Sequence, residues 1–272
     1  MNLKPLTIGL LALSLLLPLQ AAAALRLEFG IEPNYTYAFA NPAKDYFKDL
    51  NEDFRTGVYT FTTPIPQWED IKTPNFHEFG GEGSCLAKLR SGKIKNLRIG
   101  PVVGVRISSP RSTYDKSYDI WDEKYQGGKY IPTNFKRQEG INTSTVFLGA
   151  RGKASLTKKL DATATVGVNF YKVKGDVDYM LDRLDNPYEQ HRKADYKGNG
   201  TGFSIEAGAD YKIIRNILIG ASFGYRTGKV QTKGKQVVTC TSWPEGYSVT
   251  GDYSPEFDPS GAYGKFYVGI SF

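Results

Sequence analysis

The final segment of the chain, residues 265–272, alternates strictly between apolar and other side chains as far as its last residue. Its apolar face is formed by Phe266, Val268, Ile270 and Phe272. Side chains of a β-strand point to opposite faces in turn, so an apolar face opposite a mixed face indicates a strand between two different media. We therefore predict a terminal strand with one side toward an apolar environment.

The same alternation recurs in seven earlier segments, which together predict an all-β chain. The predicted strands are Leu25–Phe39, His77–Arg90, Leu97–Ile107, Ile141–Leu156, Ala162–Lys174, Thr201–Tyr211, Ile217–Arg226 and Lys265–Phe272. An even number of strands, joined alternately by short turns and long connections, is typical of a closed antiparallel up-and-down transmembrane β-barrel with long external loops. The segments are long enough to span a membrane as tilted strands.

Two further segments leave the number of strands open. Thr56–Thr62 and Gln236–Trp243 would give a ten-stranded barrel. Neither has the long apolar face that contact with lipid requires. We therefore predict eight strands, keep ten as the alternative, and interpret the two segments as hairpins above the membrane.

The first 24 residues have the pattern of an export signal. Lys4 is followed by the apolar stretch Leu6–Leu19 and by the small residues Ala21–Ala24. This stretch is too short for a retained membrane helix. We predict that residues 1–24 are a cleaved signal peptide and that residues 25–272 form one barrel domain.

Opposite their apolar faces, the predicted strands carry charges of both signs. These residues are Glu28, Glu32, Glu82, Arg98, Arg106, Arg151, Lys153, Glu206, Asp210, Arg226 and Lys265. A barrel of eight strands is only wide enough for side chains to fill it, and isolated buried charges are unfavourable. We expect a charge network in the lumen, in which each arginine pairs with an acidic residue of this set. Such an interior is either a polar plug or a narrow conduit.

The topology and the terminal aromatic residue resemble the small eight-stranded outer-membrane proteins of bacteria, the group that includes the OmpA transmembrane domain, OmpX and opacity-type surface proteins. The resemblance extends over residues 25–272 and is most specific at Phe266, Val268, Ile270 and Phe272. Tyr267 stands where the terminal signal of that group has a glycine. The resemblance implies a location in the bacterial outer membrane, contact with its lipid, and a terminal strand that the barrel-assembly machinery recognises.

Residues that would carry chemistry are few. Neither His77 nor His191 has a serine two residues further on, the spacing found in outer-membrane deacylases. The acidic residues between Asp176 and Asp185 lack the glycine and the terminal glutamate of an EF-hand loop. We predict no catalytic residue, no cofactor and no metal site, and a membrane lipid-modifying enzyme ranks third among the functions considered.

The charge balance bears on possible partners of the chain, and the cysteines bear on a possible disulfide. The chain has 35 Lys and Arg against 28 Asp and Glu, but the basic residues are dispersed, so we predict no nucleic-acid partner. Cys85 lies in a predicted strand and Cys240 in a long connection. They allow one disulfide in an oxidising compartment, and the sequence leaves this pairing open.

The long connections are rich in tyrosine and tryptophan, which provide a large contact area at low entropic cost. The sequence therefore predicts a structural, adhesion or binding role, as for a surface antigen, with external loops that contact an extracellular ligand. The alternative is a narrow porin-like channel that passes small solutes.

Overall fold

The computed structural model describes residues 27–39, 41–56, 69–89, 96–122, 129–184, 189–241 and 246–272. The predicted signal peptide lies outside these ranges, and so does the segment 57–62, which holds most of one candidate additional strand. Within the described ranges no helix is both long and apolar enough to cross a membrane.

The described residues form one α-helix and twelve β-strands. In chain order the elements are β1 (Leu27–Ala38), α1 (Lys44–Thr56), β2 (His77–Lys88), β3 (Arg98–Ser108), β4 (Arg111–Asp122), β5 (Lys129–Ser155), β6 (Leu160–Arg183), β7 (Glu189–Lys212), β8 (Ile217–Arg226), β9 (Lys229–Thr241), β10 (Tyr247–Tyr253), β11 (Glu256–Phe257) and β12 (Gly261–Ser271).

Eight of these strands are joined by consecutive antiparallel pairings that close on themselves. β1 pairs with β2, β2 with β3, β3 with β5, β5 with β6, β6 with β7, β7 with β8, β8 with β12, and β12 with β1. We call this part the ring. The end of the chain completes it, since the Phe272 N–H donates to the Phe29 carbonyl at 2.9 Å.

The prediction of eight strands in total is too low, because most of the predicted long loops are themselves strand. β5, β6 and β7 have 27, 24 and 24 residues and continue well beyond the ring. β4 pairs with the first half of β5, β9 pairs with the first half of β7, and β10 and β11 pair with β9. The segment Gln236–Trp243 belongs to β9 as far as Thr241.

We call this second part the extension. It consists of residues 129–144 of β5, 172–183 of β6 and 189–201 of β7, together with β4, β9, β10 and β11. These segments also alternate in sequence, but their outward side chains are mostly polar. The sequence analysis recognised strands by an apolar outward face, so it did not identify these segments as strands.

The apolar core lies in the extension rather than in the ring. Helix α1 buries Phe47 and Leu50, one turn apart, against the inner face of the strands. Asn41 fixes the turn that leads into the helix, since its side-chain oxygen accepts a hydrogen bond from the Ala43 N–H and its carbonyl accepts one from the Lys44 N–H, both at 3.0 Å. The strands contribute Phe135, Ile141, Val173, Val177, Tyr179, Leu181, Tyr196 and Phe257 to this core.

The segment 69–76 joins the helix to the strands. Asn51 of α1 accepts from the Ile71 N–H at 2.9 Å and donates to the Ile71 carbonyl at 3.2 Å. At the other side of the segment, Tyr114 of β4 donates to the Glu69 carbonyl at 2.7 Å. Parts of the first predicted loop are therefore fixed as a layer over the extension.

The outward face of β6 changes from polar to apolar at one level. Lys172 and Lys174 are exposed, and the next outward residues toward the ring include Phe170 and Val166, which are 44% and 52% exposed. β7 changes in the same way between Asn199 and Phe203. An exposed apolar face is unfavourable in water, so the two parts of these strands suit different media.

The inward face changes in the opposite sense. In the extension, β6 buries Val173 and Val177, whereas in the ring it buries Thr165, Thr163 and Asp161. The same strand is therefore apolar inside and polar outside in the extension, and polar inside and apolar outside in the ring.

Candidate functional site

The structure places all eleven charged residues that the sequence assigned to the interior on the inner face of the ring. Ten of them are buried and Glu28 is half-buried. Each takes part in at least one ion pair. The ion pairs form three groups along the length of the strands.

The first group lies where the short turns connect the strands. Arg98 of β3 contacts the carboxylates of Glu28 and Asp161, the latter at 2.9 Å. Lys153 of β5 lies 2.7 Å from Asp210 and 3.4 Å from Glu28. Each of these cations bridges acidic residues from different strands.

The second group has Glu82 of β2 at its centre. Its carboxylate lies 3.1 Å from Arg106 and 3.0 Å from Lys265, and it also contacts Arg151. The group continues to two further acids, since Arg151 lies 2.5 Å from Glu32 and Lys265 lies 2.6 Å from Glu206.

The third group is nearest to the extension and corrects one expectation. Arg226 does not pair with an acidic residue of the predicted set; Nη1 lies 2.8 Å from both carboxylate oxygens of Glu78. Its Nε donates to the Pro259 carbonyl at 3.0 Å. The ring of Tyr263 lies 5.5 Å from the guanidinium groups of Arg226 and of Arg106 and so connects the third group to the second.

Sequence reasoning missed several residues of this network. Glu78 lies in the predicted strand His77–Arg90 and shares the face of Glu82, but it was not included in the predicted set. Asp161 directly precedes the predicted strand Ala162–Lys174, and in the structure it begins the inward face of β6 with no exposed surface. Tyr267 donates to Asp210 at 2.5 Å, and Lys212 lies 3.0 Å from Asp161. If the alternation of inward and outward faces is continued to the ends of each strand, these residues are assigned to the interior.

The completed network is electrically balanced. The predicted set holds five acids and six bases; Glu78 and Asp161 raise the acids to seven, and Lys212 raises the bases to seven. Buried charges are tolerated when each has opposite charges and hydrogen-bond partners around it. These side chains therefore fill the ring with no net charge of either sign.

Above the third group a cavity of about 20 Å³ lies between Arg226, Glu78, Phe76, Tyr171 and Phe257. That volume holds about one water molecule. Beyond it begins the apolar core of the extension.

A larger cleft, of about 480 Å³, opens in the extension between α1 and the segment 252–258. Three acids of α1 line one wall at spacings of four residues, namely Asp45, Asp49 and Asp53. Burial, and then the neighbouring Asp49 and Glu52 carboxylates, raise the pKa of Asp53. The opposite wall carries Asp252 and Glu256, which pair with Lys235 at 2.7 Å and Lys229 at 2.6 Å.

The floor of the cleft is a buried polar cluster. Arg137 donates to the Tyr46 hydroxyl at 2.6 Å and to Glu139 at 2.9 Å. Tyr196 donates to the other oxygen of Glu139 at 3.1 Å, and the Tyr46 hydroxyl contacts that of Tyr253. Burial is the main cause that raises the pKa of Tyr46, Tyr196 and Tyr253. All three phenols therefore stay protonated near neutral pH and remain donors.

The two histidines have simple partners. His77 Nδ1 lies 2.5 Å from the Tyr35 hydroxyl, and His191 Nε2 lies 2.6 Å from Asp178. Within the described part of the chain neither imidazole is hydrogen-bonded to a serine or a cysteine, the contact that a general base makes with a nucleophile. The described residues also contain no group of three or more metal-ligating side chains. Cys85 and Cys240 are both free thiols.

The structure places the predicted assembly signal on the outside of the ring. Phe266, Val268, Ile270 and Phe272 are exposed, and β12 pairs with β1 on one side and β8 on the other. The terminal strand is thus the strand that closes the ring.

Comparison with solved structures gives distant similarities to bacterial outer-membrane proteins. The attachment invasion locus protein Ail of Yersinia pestis is 8% identical over 90% of this chain and 96% of its own, with a TM-score of 0.31. A major outer membrane protein from Thermus thermophilus is 12% identical over 90% of this chain and 99% of its own, with a TM-score of 0.37. At such low scores we take neither the fold nor a function from these proteins. No protein-family model and no curated protein matches the sequence.

Proposed function

We propose that this chain is a non-enzymatic β-barrel protein of the bacterial outer membrane, in which the eight-stranded ring spans the bilayer and the extension binds a partner outside the cell. The main support is that the outward faces of β6 and β7 change from polar in the extension to apolar in the ring. A ring with apolar side chains outside and charges inside suits lipid, and the reverse arrangement in the extension suits water.

The dimensions of the apolar surface support a membrane span. On β6 the outward apolar run from Ala162 to Phe170 covers nine residues, and a tilted spanning strand needs about 9–11. Exposed apolar residues surround the ring; examples are Ile31, Phe79, Ile107, Leu148, Val166, Phe203, Ile219, Phe223 and Val268. A continuous belt of this kind is not a feature of water-soluble monomers.

The interior supports a structural role for the ring rather than transport. Selectivity filters use rings of one sign of charge or of carbonyl groups, whereas this interior balances seven acids against seven bases. Each cation is held by carboxylates from other strands, as Lys265 is by Glu82 and Glu206. Beyond Arg226, a cavity of only about 20 Å³ and the apolar core above it also favour a plug over a path for solutes.

The extension supports a binding role. Its strands share one apolar core with helix α1, and its cleft lies between α1 and the segment 252–258. Clefts of about 300–1,000 Å³ are typical of ligand sites. The acids of α1 favour a partner that presents positive charge, such as a basic peptide segment.

Fractionation and conductance test the proposal. We expect the mature protein in the outer-membrane fraction, with heat-modifiable migration on gels, and no stable single-channel current in planar bilayers. Recovery in the soluble periplasm would contradict the membrane location. Large, stable currents from the intact protein would instead favour the porin-like alternative.

We also propose that the barrel-assembly machinery recognises the terminal strand, because β12 closes the ring and is followed by the exposed Phe272. Deletion of Phe272 should reduce the amount of folded protein in the membrane. Normal insertion of the truncated chain would rule out this role.

A further inference from the structure

Three lysines of the extension lie directly opposite one another on three adjacent strands. In the antiparallel register, Lys174 of β6 is opposite Lys197 of β7, and Lys197 is opposite Lys233 of β9. All three side chains are exposed on the outward face. We call these residues the lysine row.

Such an arrangement is unfavourable without a counter-charge. Like charges that lie directly opposite on neighbouring strands destabilise a sheet. In the part of the chain that the structure describes, the three ammonium groups take part in no ion pair. Two acids, Asp176 and Asp195, lie one outward position further from the ring, opposite each other in the register, and line the same groove.

The lysine row lines an open groove. The groove has a volume of about 540 Å³, and Asn142, opposite Lys174 on β5, lies at one end of it. Backbone of Gly175 and Gly234 forms part of its surface. A group that enters the groove can meet the three ammonium groups of the row and the Asn142 amide. The groove is also lined by Lys235, which pairs with Asp252, and by the carboxylates of Asp176 and Asp195, so among the described residues four cations stand against two free acids.

The lysine row also lies at a particular height. Lys174 is four residues beyond Phe170, the last exposed apolar residue of β6. For a strand tilted by roughly 40° this is about 10 Å above the apolar belt. Lys172 lies between them. If the ring spans a bilayer, as proposed above, lysine side chains at this height reach the layer of lipid headgroups.

We propose that the lysine row is a binding site for phosphate monoesters. A phosphate monoester carries almost two negative charges and three acceptor oxygens, so one group can neutralise the repulsion along the row and accept hydrogen bonds from it. The phosphate is supplied either by a lipid headgroup of the surrounding leaflet or by a soluble phosphorylated molecule.

Two arms of one experiment distinguish these sources. In the first, the mature protein in neutral detergent micelles is titrated with fructose 1,6-bisphosphate. In the second, it is placed in phosphatidylcholine nanodiscs with or without phosphatidic acid, and retained lipid is measured by native mass spectrometry. The test variant is Lys174→Gln/Lys197→Gln/Lys233→Gln.

A matched control has the same change of charge. Lys116→Gln/Lys136→Gln/Lys193→Gln removes three other exposed lysines of the extension, which lie 2.8, 3.5 and 3.9 Å from Glu69, Asp115 and Asp178 respectively. We expect the wild type and this control to bind in at least one arm, and the test variant to bind about tenfold more weakly or not at all.

The outcomes separate as follows. Binding only of phosphatidic acid identifies a lipid ligand, and binding only of the bisphosphate identifies a soluble one. No binding in either arm, or an equal loss in the control, overturns the proposal. Without anion, the test variant should melt at the same or a higher temperature, because the repulsion is gone; a lower melting temperature would show that the lysines are structural. The micelle arm does not depend on the proposed membrane location.

Discussion

Arg226 Nη1 lies 2.8 Å from both carboxylate oxygens of Glu78, and both side chains are buried where the ring meets the extension. Removal of one partner from a buried ion pair leaves the other charge uncompensated and costs about 3–5 kcal/mol, whereas apolar replacement of both is often nearly neutral. We expect Glu78→Leu alone to destabilise the protein by this amount. Glu78→Leu/Arg226→Met should recover most of the loss, as measured by denaturant unfolding in micelles.

The informative comparison is between the single and the double variant. If the double variant is as unstable as Glu78→Leu, the ion pair is not the main contribution of Arg226. Its hydrogen bond to the Pro259 carbonyl and its contact with the Tyr263 ring would then be more important.

A second prediction concerns the packing of Tyr267 inside the ring. A methyl group on Gly220 would overlap the Tyr267 ring, whose hydroxyl donates to Asp210 at 2.5 Å. Overpacking of this kind typically costs about 1–3 kcal/mol. Gly220→Ala should therefore destabilise the ring and weaken the Tyr267–Asp210 hydrogen bond. Denaturant midpoints in micelles provide the measurement.

Gly152 offers the control for this substitution, because the nearest atom to an added methyl group there is 4.0 Å away. Gly152→Ala should leave the midpoint unchanged. Equal effects at the two glycines would mean that strand flexibility, and not the Tyr267 contact, determines the result.

The ring was predictable from the sequence because its outward side chains obey one rule over their whole length. Contact with hydrocarbon requires an apolar residue at every second position, as at Val166 and Phe170, and this period then assigns the intervening charges to the interior. The lumen residues follow from the same parity. The pairing of Arg226 with Glu78 could not be predicted in this way. The alternation assigns a residue to a face, but it does not show at which level along the ring that residue lies relative to residues of another strand.

The extension was not predictable in the same way. Its strands alternate too, but Lys172 and Lys174 occupy the outward face that lipid would require to be apolar. The inward residues Val173 and Val177 belong to one core with residues of α1 and of the segment 69–76, which are distant in sequence. Only the tertiary structure shows that these inward faces share one core and leave a cleft beside α1.

The buried tyrosines predict a loss of stability at alkaline pH. Burial raises the pKa of Tyr46, Tyr196 and Tyr253 above the ordinary value of 10.0. Below that value the phenols are protonated in both states and their contribution to stability is complete. Above it the unfolded chain loses these protons first, so stability falls as pH rises through the range between the unfolded and folded pKa values.

Tyrosinate absorbance and denaturant unfolding, followed together above pH 10, measure this effect. Tyr46→Phe should reduce the dependence of stability on pH, whereas Tyr130→Phe should not, since Tyr130 is 63% exposed. Ionisation of all tyrosines at their ordinary pKa in the folded protein would contradict the buried cluster.

The last prediction tests the change of medium with one substitution at two places. Val166 of the ring and Val237 of the extension are both outward-facing valines, 52% and 42% exposed. A lysine facing the hydrocarbon near the bilayer midplane costs about 2–4 kcal/mol, whereas a lysine on a water-exposed face costs almost nothing. Val237 lies opposite Lys193, so both substitutions are made in the Lys193→Gln background, in which no pair of like charges arises. In nanodiscs, Val166→Lys should therefore lower the free energy of unfolding by this amount and Val237→Lys should leave it unchanged. Similar costs at both positions would show that the ring and the extension face the same medium, and the proposed membrane span would then be wrong.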